Sequence, residues 1–197
     1  MKKTLTGRAL AVLLSALLVL GLSTAASAAG LLGGWELPEN VALEDETLAV
    51  FETAAEGLLG VDYEPLALLG TQVVAGTNYC VLCRARVTAP DATPYFALVY
   101  VYADLEGGAK IVNIVPLENT GAAGALPGGW IANADEIDPA ANEDVAAAFD
   151  QALEGLVGAK YEAVACLSRQ VVSGTNYCLL AKVTPVVPDP QPTLAQV

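Results

Sequence analysis

The chain of 197 residues contains no histidine. That absence excludes imidazole general bases, histidine-containing catalytic triads and histidine-ligated metal centres. Cysteine is scarce, with four residues at Cys80, Cys83, Cys166 and Cys178. Only one Cys-x-x-Cys pair occurs, where a zinc site of that kind needs two. Basic residues are also few, nine against 22 acidic, for a net charge of −13. A surface of that sign repels nucleic acid and anionic lipid and favours a basic partner. Apolar residues make up 54% of the chain, so it is not a disordered acidic tail.

Three of the nine basic residues, Lys2, Lys3 and Arg8, stand at the start. An apolar run from Ala9 to Leu22 follows, then the small-residue stretch Ala26-Ser27-Ala28. This is the pattern of a secretory signal, in a style that suits bacteria, and residues 1–28 are read as one. The apolar run is short for a membrane span, and no basic stop-transfer flank follows it. With the signal removed, six basic residues face 22 acidic ones, a net of −16. The expected product is secreted and not bound to membrane after cleavage.

What the chain has in plenty is repetition. "QVVAGTNYC" (Gln72 to Cys80) returns as "QVVSGTNYC" (Gln170 to Cys178), an offset of 98 residues with one change, Ala75 against Ser173. The same offset links Phe51 to Phe149, Gly57 to Gly155, Gly60 to Gly158 and Tyr63 to Tyr161. "LLGGW" (Leu31 to Trp35) is answered by "LPGGW" (Leu126 to Trp130). A unit of this length is domain-sized and too long for a solenoid repeat. The joint "PLENTGAAGALP" is rich in Gly, Ala and Pro, as linkers are. The expected organisation is therefore domain 1 at 29–115, linker at 116–127 and domain 2 at 128–197.

Within a unit the periodicities change in order. Leu48, Phe51, Ala55 and Leu58 share one helical face, with acidic residues in the first turn and Gly60 placed to close the end. Val145, Phe149, Ala152 and Leu156 do the same in the second unit. Two strands follow, with Gly76 at the bend between them. In the second strand Tyr79, Val81, Cys83, Ala85 and Val87 form one face, expected to pack on the helix. Asn78, Cys80, Leu82, Arg84 and Arg86 form the other, and its two arginines place it in solvent. "YFALVYVYA" (Tyr95 to Ala103) and "KIVNI" complete a four-stranded meander around the turn "DLEGGA".

Cys80 and Cys83 are about 10 Å apart along one strand at ~3.3 Å per residue, too far to bridge. Cys83 is expected as a buried thiol and Cys80 as a surface one. Cys166 and Cys178 lie almost equally far from the second bend. They are read either as a cross-strand disulfide or, like the other two, as small apolar fillers.

The Gln-x-Val-x-Gly pattern at a hairpin bend, after a helix and below a Gly-Gly segment, resembles the cystatins, protein inhibitors of papain-like cysteine proteases. The resemblance covers residues 31–114 and again 126–197. It implies an α+β fold, one α-helix packed on an antiparallel β-sheet, present twice, with the second copy incomplete at its C-terminus. It implies a reversible inhibitor rather than an enzyme, needing no cofactor or metal. Its protease-binding residues would be Leu32, Gly33 and Gly34, the bend Gln72, Val73, Val74, Ala75 and Gly76, and the second turn Leu105, Glu106 and Gly107. In copy two they would be Gly128 and Gly129 with Gln170, Val171, Val172, Ser173 and Gly174. Many members carry Pro-Trp in the second turn, and here Leu105-Glu106-Gly107-Gly108 stands instead, which implies weaker binding. The alternative is a non-inhibitory extracellular module for protein contact or adhesion. Copy two stops within the counterpart of "YFALVYVYA", which is read either as a fragment of a longer protein or as a copy whose open sheet edge suits strand exchange or dimerisation.

Overall fold

The alternating runs form strands where the sequence places them. The computed structural model describes residues 34–121, 128–134 and 136–197. Strand β1 is Trp35–Glu36, β2 Val61–Val74, β3 Gly76–Val87, β4 Tyr95–Ala103 and β5 Ala109–Pro116. In the second copy β6 is Trp130–Ala132, β7 Ala159–Val172, β8 Gly174–Pro185 and β9 Thr193–Gln196. They build two antiparallel sheets, ordered β1-β2-β3-β4-β5 and β6-β7-β8-β9. Helix α1 is Asp45–Ala55 and α2 is Glu143–Leu153, eleven residues each.

The expected α+β architecture, one helix on one sheet and present twice, is overturned. The molecule is mostly β, and its largest core lies between the two sheets. Ala67, Leu69, Cys80, Leu82 and Phe96 of the first sheet cluster with Ala165, Leu167, Cys178 and Leu180 of the second and with Ala132. The face of β3 expected in solvent is thus the central one, and Cys80 is buried. The misreading has a physical cause. Arg84 lies at the border of that face, where its Nε and Nη2 donate to the Glu64 carboxylate at 2.9 and 3.1 Å. Its Nη1 donates to the Asn133 carbonyl of the second copy at 3.3 Å, leaving the side chain only 14% exposed. Two arginines at a strand's end, Arg84 paired with Glu64 and Arg86 donating to the Ala92 carbonyl, do not outweigh Cys80 and Leu82 in its middle, each of which gains from leaving water.

The helices are smaller additions on the outer faces. Phe51 of α1 joins Val81, Cys83, Val99 and Val101, and Val145 of α2 joins Cys166 and Leu179. Both helices end a turn before the expected glycines. α1 stops at Ala55, after which Gly57 takes φ +81°, so Leu58 lies beyond the helix and exposed. Asn142 caps α2 by accepting from the Asp144 and Val145 amides.

The first residues of the stretch read as a linker are packed. The Leu117 amide donates to the Phe96 carbonyl at 2.8 Å, and the buried Thr120 hydroxyl accepts from the Phe96 amide at 3.1 Å. The Ser168 hydroxyl of β7 donates to the Asn119 carbonyl. The signal stretch 1–28, and Leu32 and Gly33 of the expected N-terminal piece, lie outside the described residues. Among the described residues, no helix is long and apolar enough to cross a membrane.

Candidate functional site: the hairpin tips

The two repeated phrases form the ends of the two longest hairpins. Val74 pairs with Gly76 around Ala75, and Val172 pairs with Gly174 around Ser173. Both glycines carry positive φ, +122° and +130°, a conformation that disfavours a side chain. Below each bend the two strands are clamped. Asn78 Nδ2 donates to Gln72 Oε1 at 2.7 Å, and Asn176 Nδ2 donates to Gln170 Oε1 at 2.8 Å. Gln72 and Gln170 therefore act as hairpin locks. Their asparagine partners were not singled out from the sequence, although the six-residue Gln-to-Asn spacing in both copies carries the signal.

The valines above each clamp project into solvent. Val73 is 60% exposed and Val74 43%, and Val171 and Val172 are exposed to a similar degree. Apolar side chains held out on a rigid bend gain nothing for the fold, and they suit contact with another molecule.

Copy one gathers its expected pieces at one end of its sheet. Trp35 pairs with Gln72, which sets Gly34 beside the bend. Its ring meets Tyr100 edge-on at 5.6 Å between centroids. On the other side Thr77 pairs with Ala103 and Ala103 with Ala109, so the turn Asp104–Gly108 adjoins the bend. Tyr102 ties the two together, its hydroxyl donating to the Ala75 carbonyl at 2.5 Å. Within the turn the Asp104 carboxylate accepts from the Glu106 and Gly108 amides, both at 2.8 Å, and Gly107 takes φ +92°. This fixes the turn and leaves Leu105 at its apex 85% exposed. Glu106 is exposed beside it. The cluster of Gly34, Val73, Val74 and Leu105 thus forms an apolar, partly preorganised edge.

Copy two gathers less. Trp130 pairs with Gln170, and Gln170 Nε2 donates to the Gly128 carbonyl at 2.8 Å, so Gly128 and Gly129 stand beside that bend. Among the described residues nothing corresponds to the Asp104–Gly108 turn.

The four cysteines are all free and buried. The bridge considered between Cys166 and Cys178 is not formed. Irregular pairing of β7 between Cys166 and Ser168 turns Cys166 toward α2, whereas Cys178 faces the first sheet. Burial pushes each thiol up, Cys80 to about 11 despite a hydrogen bond with Tyr100 that pulls it down. A protonated, buried thiol is a poor nucleophile. Among the described residues, no group of three or more acidic or cysteine side chains is placed to hold a metal ion.

Compared with models of known protein families the chain matches none, and no curated protein matches it significantly.

Proposed function

We propose that this protein is a secreted, reversible inhibitor of papain-like cysteine proteases that covers the active-site cleft with the tip of its β2–β3 hairpin. The observation that carries this reading is the convergence of Gly34, Val73–Gly76 and the Leu105 turn at one end of the first sheet. The fold no longer contributes to the resemblance; the local motif and its surroundings do. An edge already locked by Asn78 and Tyr102 loses little conformational entropy on binding. Valine and leucine side chains can seal a catalytic cleft without covalent chemistry, and the protein itself performs no catalysis in this reading. The hairpin of copy two offers a second, less complete edge. The 1–28 segment supports export of the protein.

Immobilised papain should retain the protein, and a small active-site ligand should release it intact. Retention that survives saturation of the active site, or cleavage of the Val73–Gly76 bend, would count against it. The adhesion alternative would give such retention by surfaces other than a protease.

A further inference from the structure

Strand β1 pairs with β2 only at Thr71 and Gln72. Further down β2 the Leu68 amide donates to the Val41 carbonyl at 2.8 Å. Copy two repeats the arrangement, with the Cys166 amide donating to the Ile137 carbonyl at 2.8 Å. The register of both strands breaks just below, between Pro65 and Ala67 and between Ala163 and Ala165. The residues left over are Leu66 and Val164, 98 positions apart like the rest of the repeat. Both pack against the core between the sheets, as do Val41 and Ile137. All four remain half-buried, and together they line a groove of about 590 Å³. Each copy supplies one wall of it. The volume falls within the ~300–1,000 Å³ of ligand clefts.

The rim of this groove is acidic. Glu39, Glu136, Asp138 and Glu162 line it and are exposed, against Lys182 as its one basic lining residue. Two of the carboxylates are fixed in place. Glu136 Oε1 accepts from the Asp138 amide and Asp138 Oδ1 from the Ala140 amide, both at 2.9 Å. Glu39 has no hydrogen bond or ion pair among the described residues. No three of these carboxylates are placed to hold one metal ion, so they suit cations spread along a chain. An apolar floor below carboxylates matches side chains with an apolar stem and a cationic head, which are lysine and arginine. Addition of a further strand does not suit the site, because Pro65 has no amide and both registers are broken there.

We propose that this groove binds a segment of another protein in which lysine or arginine alternates with apolar residues. The apolar side chains seat on Leu66, Val164, Val41 and Ile137, and the cationic heads reach the rim. The walls are already formed by contacts within the chain, so binding orders little beyond the segment itself. A second copy of this chain is a poor occupant, since its net charge of −13 meets the same sign at the rim. Nucleic acid is opposed for the same reason. Leu66 lies about 23 Å along β2 from Val73 at ~3.3 Å per residue. The groove is therefore separate from the tips, and the proposal stands whether or not those tips inhibit a protease.

The test uses the full chain and a short fluorescein-labelled peptide of alternating lysine and leucine, followed by fluorescence anisotropy. Binding should saturate at micromolar protein and weaken at high salt. The same peptide with glutamate for lysine, or with glycine for leucine, should bind at least about tenfold more weakly. Glu39→Lys puts a cation on the rim at a residue without a partner. It should lower affinity at least about tenfold and leave the circular dichroism spectrum unchanged. Glu52→Lys makes the same charge change on the exposed face of α1 and should keep affinity within about twofold. Absence of saturable binding at high micromolar protein, equal binding of the lysine–glycine peptide, or equal loss in both variants would overturn the proposal. A doubled sedimented mass that Glu39→Lys reduces to single-chain mass would assign the groove to a second copy and overturn it as well.

Discussion

Gly76 and Gly174 occupy equivalent places with similar φ but different neighbours. At Gly76 a methyl group meets backbone and ring atoms of β4, while at Gly174 it meets only the cost of its own conformation. Gly76→Ala should therefore cost about 2–4 kcal/mol of stability, and Gly174→Ala about 1–2 kcal/mol, measured by urea denaturation. The thiols make a second residue-scale expectation. Burial pushes the Cys80 thiol up from its ordinary 9.0 to about 11 in the folded protein. Above pH 9 the unfolded chain loses this proton first, so the folded state holds more protons and stability falls as pH rises from 9 toward 11. The other three thiols are raised in the same direction and add to the fall. Denaturation midpoints should drop over that window, and a thiol reagent at pH 8 should label the protein only once it is unfolded.

At the scale of elements, the two hairpins share a sequence but not a setting. The β2–β3 tip is braced by Tyr102 and flanked by Gly34 and Leu105, and the β7–β8 tip has only Gly128 and Gly129. Val74→Asp should therefore weaken papain binding by at least about tenfold, the loss expected when a charge of about 1.4 kcal/mol or more in unfavourable contact enters an apolar interface. Val172→Asp should change it less, and the comparison of the two dissociation constants checks the ranking. Much of this level was legible in the sequence. The two-residue alternation and Gly76 located β2 and β3, and the turn residues Asp104, Gly107 and Gly108 marked the second hairpin. The clamps formed by Asn78 and Asn176 were written there too, but a polar residue beside a bend looks like any solvated turn until its partner is known. The early ends of α1 and α2 were not legible, because Leu58 and Leu156 continue the helical spacing after the chain has turned at Gly57 and Gly155.

At the scale of the whole molecule, the sequence misled through the arginines of β3. Alternation shows that Cys80, Leu82, Arg84 and Arg86 share a face but cannot show that a second sheet covers it, since that contact joins residues nearly a hundred positions apart. The shared core makes a thermodynamic expectation. Leu82 and Leu167 are fully buried between the sheets, so truncating either to alanine should cost about 2–5 kcal/mol and lower a single unfolding transition seen by calorimetry. Two separate transitions, with only one affected, would mean that the sheets do not depend on each other. The role of the exposed tip is read from hydrolysis of a small peptide substrate by papain as the protein is added. Activity should fall reversibly at micromolar protein, recover on dilution, and be unaffected by the Val73→Asp/Val74→Asp double variant. Undiminished hydrolysis with the unaltered protein, or equal inhibition by the double variant, would contradict that role.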